Sequence, residues 1–309
     1  MPTSLQFRLL KLLFLIVVFL FSIFYILQHQ TEFMQIFRIG YKDLFTLFLL
    51  ALSSLLLNGY LYNLFLRSFG IRMSFGEWFG LTVVHTYSNY IIIKSGIVAR
   101  GLYLHKRYGF SYAKTAAIVT YISLIQIACA AMLCHAVTLR YHTAFSAQAR
   151  TSFFDIALCA FLPFLVPLNL LSLFALKNAA LKAFITEWGA LRKHPYLWLP
   201  AVVSSILLVG LFAARISLLY NALFQPISFS SAIILSASGI LSMFIAVTPG
   251  ALGIREATMS LVTMLMGGAA VQTACVAAVD RAVMLLWIFF LGAVFTAKKT
   301  KNDSSSPTA

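Results

Sequence analysis

Thr248-Pro249-Gly250-Ala251-Leu252-Gly253-Ile254-Arg255-Glu256 joins a backbone break to a charged pair. Pro249 lacks a backbone donor and Gly250 lacks rigidity, so regular helix cannot run through them. Irregular backbone at membrane depth persists only where protein or a water-filled cavity covers it. A break followed at once by Arg255 and Glu256 is therefore a candidate site for a charged ligand. The alternative is an ordinary turn with a capping pair at the start of the next helix. Arg281, within Val279-Asp280-Arg281-Ala282-Val283, is the second candidate. An arginine at the centre of a membrane helix costs roughly 2.5–3.5 kcal/mol on insertion scales, so it should face the interior and find a partner. Asp280 points about 100° away from it on the same helix, and Glu256 is the partner expected. Such a pair either serves a ligand or locks two helices. Arg215 is expected to snorkel toward the outer surface.

A similar stretch lies in the first half: Asn89, then Lys94-Ser95-Gly96-Ile97-Val98-Ala99-Arg100. Here too a small-residue break precedes an arginine, although the spacing differs. Interrupted segments in corresponding halves are the pattern of a central transporter site. The expected ligand contacts are Arg255, Glu256, Arg281, Arg100, Lys94 and Asn89. Pro249, Gly250, Gly253 and Gly96 are expected to shape the backbone and act as hinges. The N–H groups of residues 250–255, opening a helix, are expected to offer an anion site.

Other chemistries find little support. His29, His85, His105, His135, His142 and His194 are scattered without metal-ligand spacing, so no metal or other cofactor is expected. Cys129, Cys134, Cys159 and Cys275 lie in apolar runs and read as packing residues. There is neither a nucleophile elbow nor a phosphate-binding loop. A non-enzymatic protein is expected.

The elements that must carry these residues are membrane helices. The chain has 309 residues, 61% hydrophobic and 10% charged, where soluble domains carry roughly 25% charged residues. Mean hydropathy is +0.92. The expected class is all-α, a polytopic integral membrane protein of about eight transmembrane helices with re-entrant or broken segments near 76–93 and 248–256. Spans are expected up to about Leu27, then at 43–66, 113–138, 152–174, 196–222, 230–247, 255–267 and 271–296. The segment 76–93 carries Glu77, His85 and Asn89 and is followed by Lys94, Arg100, Lys106 and Arg107. A dip and return keeps that basic cluster on the side of Arg67 and Arg72. Residues 175–195 form a basic connection whose Leu181, Ile185 and Trp188 are spaced to lie along headgroups.

Net charge is +15. With both termini cytoplasmic, most Lys and Arg, Arg255 included, fall on the cytoplasmic side. Arg38, Lys42, Arg140 and Arg150 fall outside, and Arg215 and Arg281 within the membrane. One transmembrane domain is expected over 1–297, with weakly related halves at about 1–174 and 196–297 and a disordered cytoplasmic tail at 298–309. The basic excess signals anionic lipid and not nucleic acid.

Pro249, Gly250, Gly253, Arg255, Glu256, Gly267 and Arg281 resemble the pattern of the lysylphosphatidylglycerol synthase transmembrane-region family, also called flippase-like. Ala251 stands where a second Gly is usual. In the first half Asn89, Lys94, Gly96 and Arg100 follow the family pattern. Ile97 stands where a Glu is expected, and Thr120-Tyr121 where Glu-Arg is expected. The resemblance covers residues 8–297. It implies a prokaryotic cytoplasmic membrane protein that moves lipid between leaflets. The soluble aminoacyl transferase domain that follows this region in the best-known members is not expected here, since the chain ends soon after the last span.

The expected function is lipid translocation. A central cavity would bind an anionic or aminoacylated phospholipid, or a polyprenyl-phosphate-type headgroup, through Arg255, Arg281 and Arg100. The alternative is a non-catalytic membrane subunit that docks a cytoplasmic glycosyl- or aminoacyl-transferase on its basic face. Oligomeric state stays open.

Overall fold

The structure is a computed structural model that describes residues 27–141, 147–165, 178–244 and 248–303. The first expected span, the end of the fourth and residues 304–309 lie outside the described residues. All regular structure among the described residues is helical. The helices are α1 (Gln30–Met34), α2 (Tyr41–Ser68), α3 (Phe75–Ile91), α4 (Ser95–Tyr108), α5 (Tyr112–Tyr141), α6 (Ala147–Leu165), α7 (Ala179–Arg192), α8 (Trp198–Leu223), α9 (Phe229–Phe244), α10 (Ile254–Leu265) and α11 (Ala270–Asp303).

Among the described residues, four stretches are long and apolar enough to cross a membrane: Tyr41–Ser68, Tyr112–Leu139, Pro195–Leu223 and Ala270–Gly292. They carry α2, α5, α8 and α11. Apolar residues dominate these segments, as a bilayer solvent requires. The remaining helices that bear the candidate residues are shorter. α3 and α4 have 17 and 14 residues, α9 and α10 have 16 and 12. At 1.5 Å per residue they reach about 18–26 Å, less than the ~30 Å of a hydrocarbon core.

These short helices pair into two hairpins. In the first, the turn is stitched by Ser95 Oγ donating to the Ser88 carbonyl at 2.6 Å and by Gly96 N–H donating to Asn89 Oδ1 at 2.8 Å. At the open end Glu77 accepts from the hydroxyls of Tyr103 and Tyr108 and pairs with Arg107 at 2.9 Å. The chain thus returns to the end of the bundle from which it set out, as the basic cluster required. The arms touch closely because residue 96 is glycine: a Cβ there would collide with the His85 carbonyl. The second hairpin is α9 with α10. Gly239 lets Met259 pack against its backbone, with Sδ 3.0 Å from where a Cβ would stand. The segments expected to cross separately at 230–247 and 255–267 are thus two short arms packed side by side.

α11 serves as a ruler for both. Ala270 and Thr273 near its start bond Ser260 and Thr263 of α10. Arg281 in its middle bonds the break at Gly250 and Ala251. Phe289 packs on Tyr87, toward the tip of the first hairpin, and Phe295 on Phe79 and Gly80 at its open end. Over the roughly 35 Å from Ala270 to Phe295, α11 meets the second hairpin first and the first hairpin second. The hairpins enter from opposite ends, and their tips meet: the Tyr90 ring lies against Gly250.

α11 also continues to Asp303, into the stretch expected as a disordered tail. Neither Gly nor Pro stands between Ala293 and Asp303 to stop the helix there. α7 forms in the basic connection, capped by Asn178, whose Oδ1 accepts from the N–H groups of Ala180 and Leu181. Its Trp188 is buried with Tyr121, Phe164 and Trp198 in an aromatic cluster against α5. Leu181 stays exposed.

Candidate functional site

The second hairpin's break is built by local backbone chemistry. Pro249–Ala251 forms a single 3-10 turn. Gly250 sits at φ +59° and Ala251 at φ +55°, both left-handed. Ala251 occupies a conformation that favours glycine at a cost on the order of 1 kcal/mol. Thr248 Oγ1 donates to the Leu252 carbonyl at 2.8 Å and closes the loop. α10 then starts at Ile254, and Glu256 in its third position reaches back to accept the Gly253 N–H at 3.0 Å, which is half of a capping box.

Five charged groups converge behind this turn. Asp280 is 1% exposed and serves two arginines. One carboxylate oxygen pairs with Arg215 Nε at 2.8 Å, and the other takes a short bond from Arg255. Arg215 also points Nη1 at Ser54 Oγ of α2, 3.4 Å away. The Phe212 ring lies against both guanidiniums, its centroid 4.4 Å from Arg255 and 5.1 Å from Arg215. Arg281, one residue on, faces the other way. Its Nε pairs with Glu256 Oε1 at 2.6 Å, and its two Nη atoms donate to the carbonyls of Gly250 at 3.0 Å and Ala251 at 3.3 Å. Glu256 keeps more solvent access than its neighbours, with an 18% exposed side chain.

The network explains why adjacent Asp280 and Arg281 do not pair with each other. About 100° apart on one helix, each reaches a different part of the second hairpin. Asp280 holds the first turn of α10, and Arg281 staples the carbonyls that the break leaves without helical partners. The expected pairing of Glu256 with Arg281 is present.

Three expectations are corrected. Arg215 does not snorkel outward; it is buried at Asp280. Arg255 is not a loop charge on the cytoplasmic side but is buried at the meeting of the tips. Three of the six N–H groups expected to offer an anion site are already taken. Those of Ala251, Leu252 and Gly253 already donate to Thr248, Pro249 and Glu256.

The first hairpin places its candidates differently. Asn89 caps α4 through Gly96. Lys94 is exposed at the tip, itself left-handed at φ +58°. Arg100 is buried over the Tyr62 ring, 3.8 Å from its centroid. Among the described residues, no hydrogen bond or ion pair joins these three to the network around Asp280. Sequence reasoning missed Asp280 and Arg215 as partners. Their signal was an unpaired carboxylate beside one intramembrane arginine and a second such arginine elsewhere.

Between the arms of the second hairpin lies a crevice of about 300 Å³, lined by Phe153, Ser238, Leu241, Ser242, Ile254, Thr258 and Val262. Among the described residues no group of three His, Cys, Asp or Glu could hold a metal.

Fold and site together define an all-helical, multi-pass membrane protein with two opposed hairpins and a buried ionic centre. Residues 8–292 match the model of the lysylphosphatidylglycerol synthase TM region, and the chain belongs to that family. No curated protein and no solved structure matches the chain significantly. Family and architecture together mark a membrane protein of lipid-related function.

Proposed function

We propose that this chain is a lipid translocase that binds a headgroup, anionic or aminoacylated, where the two hairpin tips meet. The observation that carries the reading is the opposed entry of the hairpins onto one buried ionic network. Alternating access needs a site reachable from either side by small movements of one half against the other. Here the hairpins enter from opposite ends, and the Tyr90 ring lies against Gly250 where their tips meet.

The ion pairs give each tip a fixed shape, and a headgroup competing for Arg281 or Glu256 would loosen one of them. The crevice beside Ile254 would take part of an acyl chain while the headgroup lies at Glu256. The protein would work in a prokaryotic cytoplasmic membrane with both termini inside, and without covalent chemistry on its substrate. Its partner is membrane phospholipid or a lipid-linked headgroup.

Native mass spectrometry of the protein extracted with its own lipids, beside Arg281→Ala, tests the reading. A lipid enriched on the wild type and lost from the variant is the expected result. Bulk-like lipid on both would make Arg281 a structural lock and favour the docking-subunit alternative.

A further inference from the structure

Four arginines are buried in the described bundle: Arg100, Arg215, Arg255 and Arg281. Two carboxylates, Asp280 and Glu256, answer the last three. Arg100 has none. It is 6% exposed, its Nε has no hydrogen-bond partner, and its one described neighbour of opposite character is the Tyr62 ring face. Removing an unpaired guanidinium from water costs far more than an aromatic face returns. One turn back on the same helix, where a carboxylate could reach it, stands Ile97.

A second donor nearby is only weakly answered. Gly96 N–H donates to Asn89 Oδ1, which fixes the amide so that Nδ2 faces His85 Nε2 at 3.3 Å. Nε2 is therefore the acceptor, and the neutral imidazole carries its proton on Nδ1. Nδ1 is buried with the Gly96 backbone beside it, outside hydrogen-bonding geometry. Arg100 stands one helical turn beyond Gly96, which packs against the His85 carbonyl. Arg100 keeps 6% of its surface exposed, and among the described residues no acceptor is hydrogen-bonded to its terminal nitrogens.

We propose that Arg100, with His85 Nδ1–H as a second donor, is an anion site completed by the phosphate of the bound lipid. This deepens the translocase reading and rests on it. Phosphate accepts charge-assisted bonds from a guanidinium in a geometry that suits both. An excess of buried positive charge also selects against a cationic, aminoacylated headgroup. The substrate class is then an acidic phosphate ester.

The test is thermal unfolding of the purified full chain in neutral detergent, for wild type, Arg100→Gln and Arg100→Lys. Each is titrated with dihexanoyl phosphatidic acid, dihexanoyl phosphatidylcholine, a cationic short-chain lipid or inorganic phosphate. Phosphatidic acid is expected to raise the wild-type melting temperature. Arg100→Gln is expected to weaken that response about tenfold or more in apparent affinity, and Arg100→Lys to recover part of it. Without ligand, Arg100→Gln should melt no earlier than wild type, because it removes an unanswered charge. Early melting of the unliganded Gln variant would instead make Arg100 a satisfied structural residue and overturn the site. A response to inorganic phosphate equal to that of the lipid assigns the site to free phosphate; a response to the lipid alone assigns it to a headgroup. Equal stabilisation by all lipids, unchanged in Arg100→Gln, overturns the anion site while lipid binding stands. No shift with any lipid removes both.

Discussion

Asp280 is the residue on which the centre depends most. It is the shared carboxylate of Arg215 and Arg255, and its loss leaves two buried cations without an answer. Breaking a buried pair by removing one partner typically costs about 3–5 kcal/mol. Asp280→Asn should lose stability of that order in a detergent unfolding titration, and a change within about 1 kcal/mol would contradict the assigned pairing. Ala251 gives the opposite sign. Its left-handed backbone is strained for alanine and open to glycine, so Ala251→Gly should gain on the order of 1 kcal/mol. A loss in the same titration would show that the methyl group contributes packing that outweighs the strain. At this scale the sequence was partly legible. Arg281 and Glu256 could be paired by reasoning about membrane cost. Arg215 could not, because hydropathy does not say which face of a long apolar helix turns inward.

The hairpins are held by contacts of two strengths. At the closed end of the first, Gly96 lies against backbone, so Gly96→Ala must push the arms apart. A backbone neighbour cannot swing aside, and the strain should exceed the roughly 1–3 kcal/mol of ordinary overpacking. At the open end Glu77 joins Tyr103, Tyr108 and the exposed Arg107. A clasp so near solvent is worth less, and Glu77→Gln should cost about 1 kcal/mol or less. Limited proteolysis of the 68–75 and 108–112 connections checks this ordering: marked cleavage in Gly96→Ala, little change in Glu77→Gln. The reverse ordering would place the hairpin's stability at its base. The first hairpin was legible because charge on either side of 76–93 left one economical path. The second was not. Its arms are as apolar as spans, and their antiparallel contact at Gly239 and Met259 leaves no trace in hydropathy.

For the whole molecule, the two halves meet as opposed hairpins along one helix, α11. The weak likeness between Lys94–Arg100 and Gly250–Arg255 is therefore positional: each stretch forms the tip of a hairpin and the first turn of the returning arm. Spacing differs because the tips are built differently, one by a cap from Asn89 and the other by a 3-10 turn stapled by Arg281. The central claim is that this meeting point carries headgroups between leaflets. The most direct test is leaflet exchange of a fluorescent anionic phospholipid in proteoliposomes. Wild type is compared with the double variant Glu256→Gln/Arg281→Gln, which removes the pair together and so leaves no lone buried charge. The account predicts exchange well above protein-free vesicles for wild type and at least a tenfold loss in the double variant. Wild-type exchange no faster than in protein-free vesicles, or a folded double variant as fast as wild type, would contradict it.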